Sequence, residues 1–223
     1  QTDLDFNRNF VTTYNILEGM RLNSVKNLIF ASTSAIYGNV NSIIKESHGP
    51  LFPTSFYGAS KLASEAYISA YSEIFDFKTW IVCFPNVIGS RLTHGVIFDF
   101  IKKLKQDSSK LKILGDGKQK KPYLHVSDLI DAIIKIWYES SENINYYNIG
   151  VRSQTTVDEI ATKVIEGMKL RNVTIEYTGG KKGWPGDVPS FNYDTTKLER
   201  LGWKASYTSN EAVSKTIEDL LGK

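Results

Sequence analysis

The 223-residue chain is 41% hydrophobic and 23% charged, the composition of a soluble globular protein of one large or two small domains. Its net charge of +3 is carried mostly by lysine, and the densest run, KKLKQDSSKLK at 102 to 112, reads as a solvated helix face and not as a nucleic-acid stripe. No apolar run is long enough to span a bilayer and no signal-peptide pattern opens the chain; the single cysteine, Cys83, excludes an internal disulfide, so a core thiol in a cytoplasmic protein is expected.

Residues 6 to 22 are predicted to form an amphipathic helix, with Phe6, Phe10, Tyr14, Leu17 and Arg21 recurring at helical spacing. Leu28, Ile29 and Phe30, with Ala31 behind them, read as a short buried strand of a parallel sheet that ends in the hydroxyls of Ser32, Thr33 and Ser34. Ligands of open α/β sheets sit outside the carboxyl ends of the strands, so those hydroxyls mark a ligand rim. A loop follows from Asn39 to Ser55. A helix from about Tyr57 to Ile74 carries Leu62, Ala66, Ala70 and Ile74 on one stripe, and Trp80 to Phe84 makes a second buried strand closed by Pro85. This alternation calls for a parallel sheet with right-handed crossovers.

Further on, helices are predicted over 96–106 and 127–138, and strands over 111–114, 144–149 and 173–177. A turn is expected at Gly115 to Gly117. Two capping boxes, Thr156 to Glu159 and Thr208 to Glu211, open helices at those points. The glycines from Gly179 onward follow no strand in the right register and do not make a phosphate loop.

Tyr57 and Lys61 stand at i and i+4, one turn apart on one helix face. A tyrosine is a poor base at neutral pH, but a nearby ammonium stabilises its phenolate and permits acid–base work on a substrate hydroxyl. Spacing alone is weak, because Tyr177/Lys181 and Tyr193/Lys197 repeat it. Context selects the first pair, which opens a long helix after the strand that ends in hydroxyls. The three histidines do not read as a metal site: His125 is expected to be structural, and His94 and His48 are loop residues. Asp128 reads as a helix cap or first-turn charge.

FASTSAIYG and PTSFYGASK are followed, in order, by CFPNVIGSR, THGVIFDF, ILGDGKQKKPYLHVSDL, YNIG and GWPGDVP. This ordered set, spread over essentially the whole chain, resembles the extended short-chain dehydrogenase/reductases, in particular the NAD-dependent nucleotide-sugar epimerase/dehydratase family. The resemblance implies an α/β fold: part of an NAD-binding Rossmann domain over 1–87 and 123–150, and a smaller α/β domain for a nucleotide-diphosphate sugar over 88–122 and 151–223. By position, Thr33 corresponds to the family's catalytic Ser/Thr, Tyr57 to its base and Lys61 to its lysine. Asn9, Ser32 and Pro85 join these three around NAD. Asn86, Gly95 and Lys121 join Thr33 and Tyr57 around the substrate. Lys121 replaces the arginine usual at the diphosphate, keeping the charge without the bidentate fork. Gly95 stands where bacterial 4-epimerases carry an asparagine, and Val82 and Cys83 stand where relatives have an arginine. Trp184 lies in the segment of their phosphate-binding arginine, which leaves Lys181 or Lys182 to substitute.

Relatives that eliminate water or decarboxylate typically carry a carboxylate two positions after the catalytic Thr, because a leaving hydroxyl needs an acid. Here Ser34 and Ala35 follow Thr33, which resembles the 4-epimerases. NAD-dependent C4 epimerisation of the UDP-glucose/UDP-galactose type is therefore expected. A dehydratase or reductase, or a truncated non-catalytic remnant, are the alternatives. The family's glycine fingerprint and its acidic ribose ligand are not in these residues, so the family's opening βαβαβ unit is expected to be missing from the chain as given. A homodimer is expected through the helices at 6–22 and 58–74, with Tyr67 and Tyr71 facing outward.

Overall fold

The computed structural model describes residues 2–40, 42–180 and 191–222. It opens with α1 (Thr2–Asp5), a π-helical stretch (Phe6–Val11), α2 (Thr12–Leu22), β1 (Asn27–Thr33), a 3-10 turn (Ser34–Tyr37), β2 (Ile43–Ile44), α3 (Phe56–Phe75) and β3 (Lys78–Phe84). There follow β4 (Asn86–Ile88), α4 (Val96–Gln106), β5 (Lys110–Ile113), β6 (Lys120–Lys121), β7 (Tyr123–His125), α5 (Val126–Glu139) and β8 (Ile144–Asn148). The last elements are β9 (Thr155–Thr156), α6 (Val157–Gly167), β10 (Thr174–Tyr177), β11 (Asn192–Tyr193), α7 (Thr196–Glu199) and α8 (Ser209–Leu220). The chain divides into two compact units, one of Gln1–Phe84, Asp131–Ile149 and Tyr193–Lys204, the other of Pro85–Ile130, Gly150–Asn192 and Ala205–Lys223.

The first unit is built on a parallel sheet in the order β1-β3-β8. The central strand β3 is buried from Thr79 to Cys83, as its run of Trp, Ile, Val and Cys requires. Leu17 and Met20 of α2, Ile68 and Tyr71 of α3, Phe30 of β1 and Ile81 of β3 make the core on one side. The outer edge of β1 pairs with no strand among the described residues, and Ile29 is 41% exposed. The strand expected to be buried on both faces is thus covered on one, that of Phe30 and Ser32, with Thr33 buried at its end.

The first helix begins earlier than its periodicity suggests and widens to a π-helix between α1 and α2, where Thr12 donates its backbone N–H to Asn7 O. Such widening shifts the side chains that follow it around the axis. The buried stripe is therefore Thr13, Leu17 and Met20, while Phe6 and Tyr14 of the expected stripe are exposed. In α3 the expected stripe is also overturned: Ala66 and Ala70 are exposed, Ile74 is 70% exposed, and the buried set includes Ser60, Ser64, Glu65, Ile68 and Ser72. Small hydroxyl side chains permit a close approach, and each here has a partner, so burying them costs little. Ser64 Oγ donates to Ser60 O at 2.9 Å, and Ser72 Oγ meets Thr79 Oγ1 at 3.1 Å.

Tyr71, expected outside, is buried and donates to Glu18 of α2. Arg21 bonds the same carboxylate at 2.9 Å, and this pair of donors holds Glu18 down to about 2.

The second unit pairs β4 with β7 and β5 with β10 in parallel, and β6 with β9 antiparallel. Around them α4, α6 and α8 enclose Ile97, Phe100, Leu104, Leu111, Ile160 and Val213. Both expected capping boxes form: Thr156 Oγ1 accepts from Glu159 N at 3.1 Å, and Thr208 Oγ1 accepts from Glu211 N at 3.3 Å. Asp128 lies in the first turn of α5, where its two oxygens accept from the backbone of Ser206 and Tyr207. His125 is buried with Nδ1 2.7 Å from Ser127 Oγ, in line with a structural role. Lys181, Lys182, Trp184 and the GWPGDVP segment lie outside the described residues. Among the described residues no helix is long and apolar enough to cross a membrane.

Candidate active site

Thr33 is the last residue of β1, in extended conformation, and its Oγ1 accepts from Ala35 N at 3.2 Å to open the 3-10 turn. The first turn of α3 lies against the backbone of that turn. A Cβ on Gly58 would stand 2.5 Å from the carbonyl oxygen of Ala35, so only glycine admits the approach. Ser55 caps α3 by accepting from Gly58 N at 3.1 Å, which fixes where the helix begins. Tyr57 therefore sits in the first turn, near enough to the Thr33 hydroxyl for that group to favour its phenolate. Burial pushes its phenol above the usual value and the Thr33 hydroxyl draws it back. The side chain is nevertheless 41% exposed and open to a ligand.

One turn on, Lys61 Nζ donates to Ala31 O at 2.9 Å and lies 4.6 Å from the centre of the Phe30 ring. Burial lowers its affinity for a proton, and the charge of Glu65 opposes that. Asn9, on the π-helical stretch, donates its amide to Ser60 Oγ at 3.0 Å, and Ser60 in turn donates to Tyr57 O at 2.9 Å. Ser32 is buried, with its hydroxyl given to Glu65.

Thus Thr33, Tyr57 and Lys61 come together at the carboxyl end of β1, and Asn9 is tied to them through Ser60. The other expected residues belong to the second unit. Pro85 is buried, and Asn86 is exposed at the start of β4, opposite Tyr123. Gly95 precedes α4 with φ of +91°, with open space where a Cβ would be. Lys121 lies in β6, opposite Thr155. Sequence reasoning passed over Ser60 and Glu65. For Glu65 the signal was a carboxylate at i+4 from Lys61 on the Tyr57 face. The donors at the end of β1, an ammonium, a phenol and a hydroxyl, fit the ribose diol and nicotinamide end of a dinucleotide.

A model of the NAD dependent epimerase/dehydratase family matches residues 1–150. A protein of Methanocaldococcus jannaschii named "Putative UDP-glucose 4-epimerase" is 31% identical over 94% of this chain and 68% of its own length. The dTDP-D-glucose 4,6-dehydratase of Mus musculus is 29% identical over 97% of this chain and 63% of its own. The chain thus spans about two thirds of the length of these curated relatives. A crystal structure of a UDP-galactose 4-epimerase superposes with a TM-score of 0.90 at 36% identity, over 100% of this chain and 72% of that one. The family match, with the parallel sheet and its flanking helices, defines an extended short-chain dehydrogenase/reductase. Within that class, the chain belongs to the NAD dependent epimerase/dehydratase family. The matched family is NAD dependent, and similar structures at 30% and 26% identity hold NAD.

Proposed function

We propose that the protein inverts C4 of a nucleotide-diphosphate hexose of the UDP-glucose/UDP-galactose type, using NAD and passing through a 4-keto sugar. The observation that carries this reading is the turn after Thr33. Ser34 and Ala35 have no acid to offer, and the backbone N–H of Ala35 is spent on Thr33 Oγ1. A dehydratase needs a proton donor for its leaving hydroxyl there; an epimerase needs none. The curated and solved 4-epimerases among the relatives support the same choice.

NAD, when bound, supplies the chemistry of accepting hydride from C4 and returning it. Tyr57 as phenolate takes the proton of the C4 hydroxyl at its Oη. Thr33 hydrogen-bonds the same sugar oxygen and relays the proton. Lys61 stabilises the phenolate and bonds the nicotinamide ribose. Asn9 and Ser60 hold the first turn of α3 in place, with Ser32 and Pro85 beside the cofactor. Asn86, Gly95 and Lys121 in the second unit take the nucleotide-sugar, and the keto sugar turns over while its nucleotide stays bound. The working form is a homodimer in the cytoplasm.

The test is proton NMR of the complete, NAD-loaded protein given UDP-glucose or UDP-galactose. Interconversion of the two is expected, without accumulated NADH. Formation of a 4-keto-6-deoxy sugar would replace this reading with dehydration, and no turnover of any nucleotide hexose would end it.

A further inference from the structure

Tyr57, Lys61 and Glu65 succeed each other at one-turn intervals along one face of α3, and each meets one of the last three residues of β1. Tyr57 faces the hydroxyl of Thr33, Lys61 bonds the carbonyl of Ala31, and Glu65 bonds the hydroxyl of Ser32. Glu65 is only 7% exposed, whereas Tyr57 is 41% exposed. Its carboxylate gathers donors from every strand of the sheet: Ser32 of β1, Cys83 Sγ of β3 at 3.6 Å and Tyr146 Oη of β8 at 3.3 Å. Behind these, Cys83 Sγ lies 3.1 Å from Tyr146 Oη, and Tyr37 Oη meets Tyr146 Oη at 3.4 Å and Asn148 Oδ1 at 2.8 Å. Buried carboxylates are costly unless their lone pairs are satisfied, so this arrangement is a built site and not a stray charge.

We propose that Glu65 is a positioning residue for this active site: its carboxylate locks the Thr33-bearing end of β1 to the helix that carries Tyr57 and Lys61. The inference rests on the reading of Thr33, Tyr57 and Lys61 as the reacting cluster. The titratable groups facing Glu65 are Lys61 on its own helix, Cys83 from β3 and Tyr146 from β8, with Tyr37 beyond and buried Tyr193 acting at longer range. Of these, Lys61 is the cation. Burial works against the Lys61 charge and Glu65 supports it, so loss of the Glu65 charge should lower the pH at which Lys61 gives up its proton. Burial also pushes the Glu65 carboxyl up, and the bonds from Ser32, Cys83 and Tyr146, with the Lys61 charge, draw it back.

Glu65→Gln keeps the shape and an acceptor for Ser32 while removing the charge. In the complete NAD-loaded protein with UDP-glucose, it should lower kcat at least tenfold with KM within twofold. It should also shift the alkaline limb of the pH profile down by about one unit. Lysines labelled at Cε report Lys61 directly by NMR, with Lys61→Arg assigning its resonance, and that titration should fall by the same amount. Glu65→Asp, which keeps the charge but shortens the reach to Ser32, should leave the Lys61 titration within 0.3 unit of wild type (about 0.4 kcal/mol) yet still lower kcat. A folded Glu65→Gln protein with an unchanged Lys61 titration and unchanged kcat overturns the proposal. Tyr57→Phe run alongside separates the two levels. If it remains active the functional reading has failed, whereas the Lys61 titration judges Glu65 regardless.

Discussion

Tyr57 is set to work against its own surroundings. Burial raises its phenol above 10, and in the free chain only the Thr33 hydroxyl opposes this. A base with so high a pKa needs the Lys61 cation one turn away, so both side chains are predicted to matter through charge. Tyr57→Phe should cut the rate of C4 inversion by about 10² to 10⁴-fold, measured by NMR on NAD-loaded protein. Lys61→Ala should move the rising limb of the pH–rate profile to higher pH, because the phenolate loses its counter-charge.

The same shift has a consequence for stability. A phenol whose folded pKa lies above its unfolded value of 10 contributes stability that is complete below pH 10 and lost as pH climbs through the folded value. In urea melts, wild type and Tyr57→Phe should keep a constant difference from pH 7 to 9, and the Phe protein should gain on wild type above pH 10. A difference that stays flat to pH 11 would show that Tyr57 does not titrate differently on folding.

At the scale of elements, the site depends on how closely α3 can approach the turn after β1. Gly58→Ala would place a methyl group 2.5 Å from a backbone carbonyl, and neither partner is a flexible side-chain end that can move away. Relief requires α3 to shift, at about 1–3 kcal/mol of overpacking, and even 1 Å of displacement at Tyr57 is worth about a 10²-fold loss in rate. Gly58→Ala should therefore lower Tm and kcat together. Thr208→Ala provides the contrast: it removes the cap of α8 in the second unit, should cost about 1 kcal/mol, and should leave kcat unchanged.

These elements also show what the sequence could and could not reveal. The capping boxes, the β3 run and the helix that starts near Tyr57 were legible because each is a local signal. The buried face of α3 was not, since Ala66, Ala70 and Ile74 look like a core stripe and lie outside, while serines and a glutamate lie within. Burial of polar residues is decided by partners distant in sequence, such as Ser32 and Tyr146 for Glu65, and no periodicity encodes those. The π-helical stretch defeated the α2 stripe similarly, by shifting the register within one continuous helix. Thr33 and Tyr57 stand out in the sequence because hydroxyls at a strand end and an aromatic at a helix start are visible signatures; the residues packed behind them do not.

At the scale of the whole molecule, the outward faces of the opening helix and α3 carry an aromatic cluster that the fold itself does not bury. Phe10 packs edge-on against Tyr67 with centroids 4.8 Å apart, Tyr14 meets Tyr67 at 6.3 Å, and Phe6 meets Phe10 at 5.4 Å. Phe6, Tyr14 and Tyr67 remain 51%, 42% and 44% exposed. Rings that already hold one another in fixed orientations lose little entropy on association and bring large apolar area, which is how an interface centre is composed. Leu4 and Ile16 nearby in sequence are exposed as well, so the apolar surface extends past the rings. This favours the proposed homodimer, with Tyr67 expected at the middle of its interface. Multi-angle light scattering of the complete protein should give twice the chain mass at micromolar concentration. Tyr67→Asp should convert it to monomer with helix content retained, because a charge buried opposite an aromatic cluster has no partner to offset its desolvation. A wild-type monomer at every concentration, or a Tyr67→Asp dimer of normal affinity, would remove these helices from the interface.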